Sequence, residues 1–253
     1  MVSEADELPS RDGGAPPAVP PHRIRFPVNI HRWDNISFLH WAFEPRDIAP
    51  LVPDETAVLT YDGMAWVSVT PFFIRMRPPG LPVVPPRWAF PETNVRTYVA
   101  GPDGSEGLWF IRMEVPSLWF VATLRSVGLP YFRQRMSVDV EDDRVVYESG
   151  SRPSSSGGGH EIVVRPGDEL CPPEGGPWER FVTARWGAFH RRGPVLLSTP
   201  VEHRSWHMCT AAVQACEVDA LFRDAGLPVP VAPPVVHFSP GVTVKVGRPR
   251  VVA

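Results

Sequence analysis

The 253-residue sequence predicts a mainly β protein with few, short helices, built as a barrel or a sandwich with the helices packed against it. Three observations carry this. Two tight-turn signals, Gly101-Pro-Asp-Gly104 and Glu141-Asp-Asp143, are each flanked by strand-like pattern. The long run Met64 to Met76 is aromatic and β-branched. Helical spacing is confined to three short segments.

Taken in order, residues 1–21 are small, polar and Pro-rich with little to bury, and are expected to form a disordered tail. One domain is expected over residues 22–253. Asn35 to Phe43 is expected to be helical, with Ile36, Leu39 and His40 on one side. Met64 to Met76 reads as a strand whose Pro71 marks an edge or a bulge. Asn94 to Val99 and Leu108 to Val115 form the first hairpin, with Trp109, Ile111, Met113 and Val115 expected on one face of the second arm. Ser117 to Val127 reads as a helix capped by Ser117 and ended by Gly128. Met136 to Val140 and Arg144 to Glu148 form the second hairpin. A flexible loop is expected near residues 152–160, where Ser and Gly run together. Strands are expected again at 161–165, 183–190, 205–215 and 242–246. Val218, Leu221, Phe222 and Ala225 have helical spacing, stopped by Gly226.

Composition excludes several functions. The formal charge of −3, from 25 basic and 28 acidic residues, leaves no basic excess for nucleic acid. No stretch approaches the ~18 apolar residues of a membrane-spanning helix. The N-terminus lacks a secretory signal pattern, and three cysteines argue against a disulfide framework. A cytoplasmic protein is therefore expected. No P-loop, dinucleotide fingerprint or nucleophile elbow occurs, so no cofactor is expected. His203 and His207 are four apart with Cys209 close by, a zinc-like spacing only on a helix. The surrounding pattern reads as strand, so no metal is expected. Lys245 is the only lysine, and its place in Val-Thr-Val-Lys-Val reads as a solvent-facing strand position.

Several phrases together resemble the uncharacterised YqjF-like family: Trp33 with Phe38-Leu39-His40-Trp41, Tyr61-Asp62-Gly63 with Ala65-Trp66-Val67, and Thr70-Pro71-Phe72. Phe90-Pro-Glu-Thr-Asn-Val-Arg-Thr-Tyr-Val99 is the most specific of them. Leu129-Pro130-Tyr131, Glu179-Arg180-Phe181 and His203 with Trp206 follow, so the resemblance runs from about Ile24 to Val252. That family is similar to the acetoacetate decarboxylase-like superfamily. The resemblance implies a bent, antiparallel-rich β-barrel or cone with short packed helices, enclosing a small-molecule pocket. It implies no particular activity. The superfamily's decarboxylases use a Schiff-base lysine, which the resemblance would place near Glu92 to Thr97. Arg96 is the nearest cation there, and a guanidinium cannot serve as a free amine.

In an extended segment Glu92, Asn94, Arg96 and Tyr98 project from one face. Acid, amide, cation and phenol in a row suit a small carboxylate or carbonyl ligand. Arg96 would grip the carboxylate, Glu92 would move a proton, and Asn94 and Tyr98 would polarise an oxygen. The alternative is a solvated strand face with a cross-strand ion pair. His40 is either a second acid/base group or a hydrogen-bonded core residue. Trp66 and Trp41 are candidates for the pocket wall. The sequence thus points to a lyase- or isomerase-like enzyme without a covalent lysine. A non-catalytic ligand-binding or sensor protein and a barrel plugged by side chains are the other readings.

Overall fold

In the computed structural model the structure describes residues 10–150 and 159–252. In chain order the strands are β1 (Ser10–Asp12), β2 (Asn29–Phe43), β3 (Ala57–Tyr61), β4 (Met64–Arg77), β5 (Ala89–Ala100), β6 (Glu106–Val115), β7 (Tyr131–Arg133), β8 (Met136–Glu141), β9 (Arg144–Ser149), β10 (His160–Glu169), β11 (Gly187–Arg192), β12 (Val195–His203), β13 (Cys209–Glu217), β14 (Val235–Val246) and β15 (Arg250–Val251). The helices are α1 (Pro45–Ile48), α2 (Leu118–Arg125), α3 (Pro177–Thr183) and α4 (Asp219–Asp224). None of them is long and apolar enough to cross a membrane.

Pairing closes the sheet on itself. β2, β4, β5, β6, β11, β12 and β14 form a ring, each bonded to the next, with β14 bonded back to β2. All contacts in the ring are antiparallel except β6 with β11. Strands β13, β10, β9 and β8 continue the sheet from β14 and fold over its outside. Two cores result. Inside the cone, Phe38, Phe72, Ile74, Met113, Val242 and Val244 pack together. Between the cone and the outer strands, Leu39, Trp41, Val67, Val95, Tyr147, Ile162 and Phe222 form the second.

This layering explains where β2 departs from expectation. Asn35 to Phe43 is strand, not helix. Both faces of the segment are buried, one in each core, so its apolar residues run nearly continuously and mimic helical spacing. Asn35 takes a left-handed φ of 47° at a bulge, where four residues of β2 face three of β4. Pro71 sits in that interrupted stretch, the kind of place in a sheet that tolerates a missing N–H. A second bulge lets Ile111 slip between the residues paired with Val95 and Arg96. It turns Trp109 and Ile111 outward while Met113 and Val115 face inward, so these four do not share a face.

Both expected hairpins form, and α2 is capped by Ser117, whose Oγ accepts from Phe120 N at 3.3 Å. Residues 183–186 are not strand. Pro177 opens α3 and the buried Phe181 and Val182 anchor it, so β11 starts only at Gly187. The strand expected from Ser205 begins at Cys209. Of the expected tail, Ser10–Asp12 pairs in parallel with β3. Pro17 and Ala18 accept from Trp186 Nε1 and Ser205 Oγ, so residues 10–18 lie against the body. The flexible loop expected near 152–160 lies almost wholly outside the described residues, and His160 already belongs to β10.

Candidate functional site

Strand β5 presents Glu92, Asn94 and Arg96 to the interior of the cone, with Thr93, Val95 and Thr97 on its outer face. All three inward residues are at most 5% exposed, so the face is not a solvated one. They line a cavity of about 410 Å³ together with Trp33, Phe72, Tyr131, Arg185, His190, His203 and Trp206.

Two guanidiniums dominate its electrostatics. Arg96 lies over the Phe38 ring at 5.5 Å, and its Nε and Nη2 find no partner among the described residues. Arg185 lies over Phe181 and Tyr98, at 4.8 and 5.2 Å, and reaches Glu106 through Nη1 at 3.4 Å. Its Nε and Nη2 are likewise unpartnered. Burial lowers the affinity of both for their protons, Arg185 to about 10, yet both remain cations at neutral pH. Each unmet charged donor in a buried site calls for an acceptor.

Glu92 complements them. Burial pushes its carboxyl up from 4.5 to about 8, against opposing hydrogen bonds from Asn94 and Tyr131. The Tyr131 hydroxyl lies 3.4 Å from both carboxyl oxygens. Glu92 is thus mostly protonated near pH 7 and close to its own titration point, as a proton donor and acceptor should be. His203 is held neutral, with burial bringing it down to about 4. Its Nδ1 donates to Arg204 O at 2.6 Å, which leaves Nε2 as an acceptor. Asn94 Oδ1 is a further unpartnered acceptor.

The remaining candidates lie elsewhere. His40 and Tyr98 stand behind Arg96, outside the cavity lining. His40 Nδ1 meets Ser68 Oγ at 2.6 Å, Ser68 meets the Tyr98 hydroxyl at 2.5 Å, and Tyr98 donates to Val182 O. Burial, helped by the nearby His237 and Arg96, keeps His40 neutral. Trp41 faces the outer core, with its indole donating to Ala232 O. Trp66 packs on Trp178 and donates to Tyr61 O. Neither tryptophan touches the cavity. His207 is exposed beside Glu169, apart from the buried His203. Among the described residues no group of His, Cys, Asp or Glu is arranged to hold a metal ion. Lys245 bonds Glu202 at 2.9 Å, away from the cavity.

Of the lining residues the candidate list missed, Tyr131 and His203 with Trp206 stand in the phrases that carried the family resemblance. Arg185 gave no signal, because it sits in the short link between α3 and β11 rather than in a periodic element.

The closed, bent β-cone is a fold that this chain shares with solved structures of acetoacetate decarboxylase-like proteins. An acetoacetate decarboxylase-like enzyme from Sphingomonas wittichii RW1 aligns with a TM-score of 0.59 at 10% identity, covering 89% of this chain and 93% of that one. The enduracididine biosynthesis enzyme MppR complexed with pyruvate gives 0.64 at 12% identity, over 92% and 93%. Acetoacetate decarboxylase from Legionella pneumophila gives 0.56 at 17%, over 92% of each chain. The chain belongs to the DUF2071 family of uncharacterized conserved proteins, whose model matches residues 31–243. A curated relative, the uncharacterized protein YqjF of Bacillus subtilis (strain 168), is 27% identical over 209 residues, covering 82% of this chain and 85% of that one.

Proposed function

We propose that the cone binds a small carboxylate or carbonyl compound and moves protons on it, as a lyase- or isomerase-like enzyme that forms no Schiff base. The observation that carries this is the pair of guanidiniums, Arg96 and Arg185, each with Nε and Nη2 unpartnered among the described residues, on the wall of a cavity that also holds a neutral carboxyl, Glu92. The guanidiniums bind and orient the ligand's carboxylate. Glu92 gives its proton to one atom of the ligand and recovers one from a neighbouring atom, with Tyr131 holding its carboxyl in place. Asn94 steadies the oxygen that gains electron density. Tyr98 hydrogen-bonds Arg96 directly and is held in turn by Ser68, which also meets His40.

Loss of CO2 fits this site poorly. A carboxylate clamped by arginine is stabilised as an anion, and that interaction weakens as neutral CO2 forms. The chain's only lysine lies outside the cavity. The three cysteines are free thiols, which supports a cytoplasmic setting.

Calorimetric titration with a panel of small keto acids tests binding. The wild type should bind, and folded Arg96→Ala should not; unchanged binding by that variant defeats the proposal. Deuterium exchange at the carbon next to the ligand's carbonyl, followed by NMR, tests catalysis. Exchange should occur with the wild type and fail with Glu92→Gln, which still binds. Binding without exchange in the wild type would leave the ligand-binding or sensor reading standing. Borohydride treatment with a keto acid should leave Lys245 unlabelled.

A further inference from the structure

The cations occupy only part of the cavity wall. In the pairing of β4 with β5, Arg96 stands opposite Ser68, Glu92 opposite Phe72 and Phe90 opposite Ile74. The lining continues past Glu92 along Phe72, Ile74 and Met76, about 13 Å of strand at ~3.3 Å per residue. Helix α2 covers this stretch with Phe120 and Leu124, and Phe120 packs on Phe90 at 4.8 Å. Beyond Glu92 the wall is therefore mostly apolar; its polar members there are Asn29 and His31, the latter opposite Met76 and kept neutral by burial. A cavity of about 410 Å³ belongs to the size class, about 300–1,000 Å³, that holds drug-sized molecules. A three-carbon acid would leave the α2 end to be filled by water against apolar side chains.

Charge balance narrows the choice further. Arg185 already shares Glu106, Arg96 has no acidic partner among the described residues, and Glu92 is mostly neutral near pH 7. One uncompensated positive charge remains to be met.

Resting on the anion-binding reading above, we infer that the occupant is an amphiphilic monocarboxylate. Its head lies at Arg96 and Arg185, and an apolar body of roughly six to ten carbons, a size suited to such cavities, lies against Ile74, Met76, Phe120 and Leu124.

Calorimetry on the full chain with acetate, butanoate, hexanoate, octanoate and decanoate tests this, with pyruvate, octanol and octanedioate as controls. Affinity should rise about fourfold per added methylene, the equivalent of ~0.8 kcal/mol each, and level off once the α2 end is full. Octanedioate should bind more weakly than octanoate, because its second charge meets a mostly apolar wall whose nearest polar groups, Asn29 and the neutral His31, carry no positive charge. Arg96→Ala should weaken octanoate at least tenfold while changing octanol less than twofold. Leu124→Trp, which fills the far end and leaves the cations alone, should weaken octanoate and spare butanoate. If pyruvate and butanoate bind through Arg96 as tightly as octanoate, the amphiphile is refuted and the anion site survives. Tighter binding of octanedioate than of octanoate also refutes it. If no carboxylate binds, or Arg96→Ala changes nothing, both readings fall.

Discussion

Replacing Glu92 by glutamine should change how the protein's stability depends on pH. Glutamine keeps the shape of a protonated carboxyl and cannot ionise. In the folded wild type Glu92 titrates at about 8, against 4.5 for an ordinary glutamate. Below pH 4.5 both folded and unfolded chains carry the proton, and the residue imposes no pH-dependent cost. Between pH 4.5 and about 8 the unfolded chain ionises while the folded one does not, so wild-type stability falls as pH rises. At ~1.4 kcal/mol per pH unit the whole interval amounts to about 5 kcal/mol. The buried histidines impose the opposite trend. His31, His160 and His203 are lowered to about 4, 3 and 4, so each weakens the fold as pH drops below about 6.5. Both proteins share those terms, and the difference between them isolates Glu92. Urea unfolding at pH 5, 6, 7, 8 and 9 should show Glu92→Gln gaining on the wild type by about 1.4 kcal/mol per unit up to pH 8, then levelling off. Parallel stability curves would mean that Glu92 ionises normally in the fold, and its role as a neutral proton donor would fail.

Three other outcomes are expected. Gly241 has φ of 127°, and a Cβ there would lie 2.0 Å from Trp33 O. Gly241→Ala should therefore lose about 3 kcal/mol, read as a drop in Tm of roughly 6–12 °C, because backbone must move. On the outer face of β6, Glu114 pairs with Arg112 at 2.8 Å and accepts from Ser149 at 2.9 Å, both charged groups being buried. Glu114→Ala should lose about 3 kcal/mol in urea unfolding by leaving that guanidinium only the half-exposed Asp224, 3.3 Å away, while Arg112→Met combined with Glu114→Met should recover most of it. Arg96→Met should leave the ligand-free protein as stable as the wild type or more so, by up to about 2 kcal/mol, while removing carboxylate binding.

How much was legible in the sequence followed from how each segment is buried. The hairpins showed themselves because Gly101 to Gly104 and Glu141 to Asp143 are turns between strands with a clear period. The inward row of β5 showed itself because alternation survives even where both faces are covered. β2 did not, since apolar residues on both faces erase the period that separates strand from helix. Arg112 and Glu114 would pass for a solvated pair; only the outer strands β9 and β10, with Ser149 and His160, put them under cover. His160 lies 3.6 Å from Glu114, too far for a hydrogen bond, and burial keeps it neutral, so this contact is no ion pair. Trp41 and Trp66 misled because aromatic residues beside a candidate strand face share its neighbourhood without sharing its side.

The inner wall also sets stability against function. Arg96 and Arg185 together leave four buried charged donors without a partner among the described residues. Each such group costs about 1–3 kcal/mol or more, within a total stability of only about 5–15 kcal/mol for a folded domain. Apolar side chains of similar size would pack these positions at lower cost. A sequence shaped by folding alone would place methionine or leucine at residues 96 and 185 and plug the cone. Instead it carries both arginines beside a carboxyl whose charge burial suppresses, around a cavity rather than a packed interior. An anionic guest supplies acceptors for those donors and neutralises the remaining positive charge, so its binding energy includes relief of a cost already built into the fold. The same carboxylates that bind should therefore raise the unfolding midpoint, which ties the site's chemistry to the protein's stability through two residues.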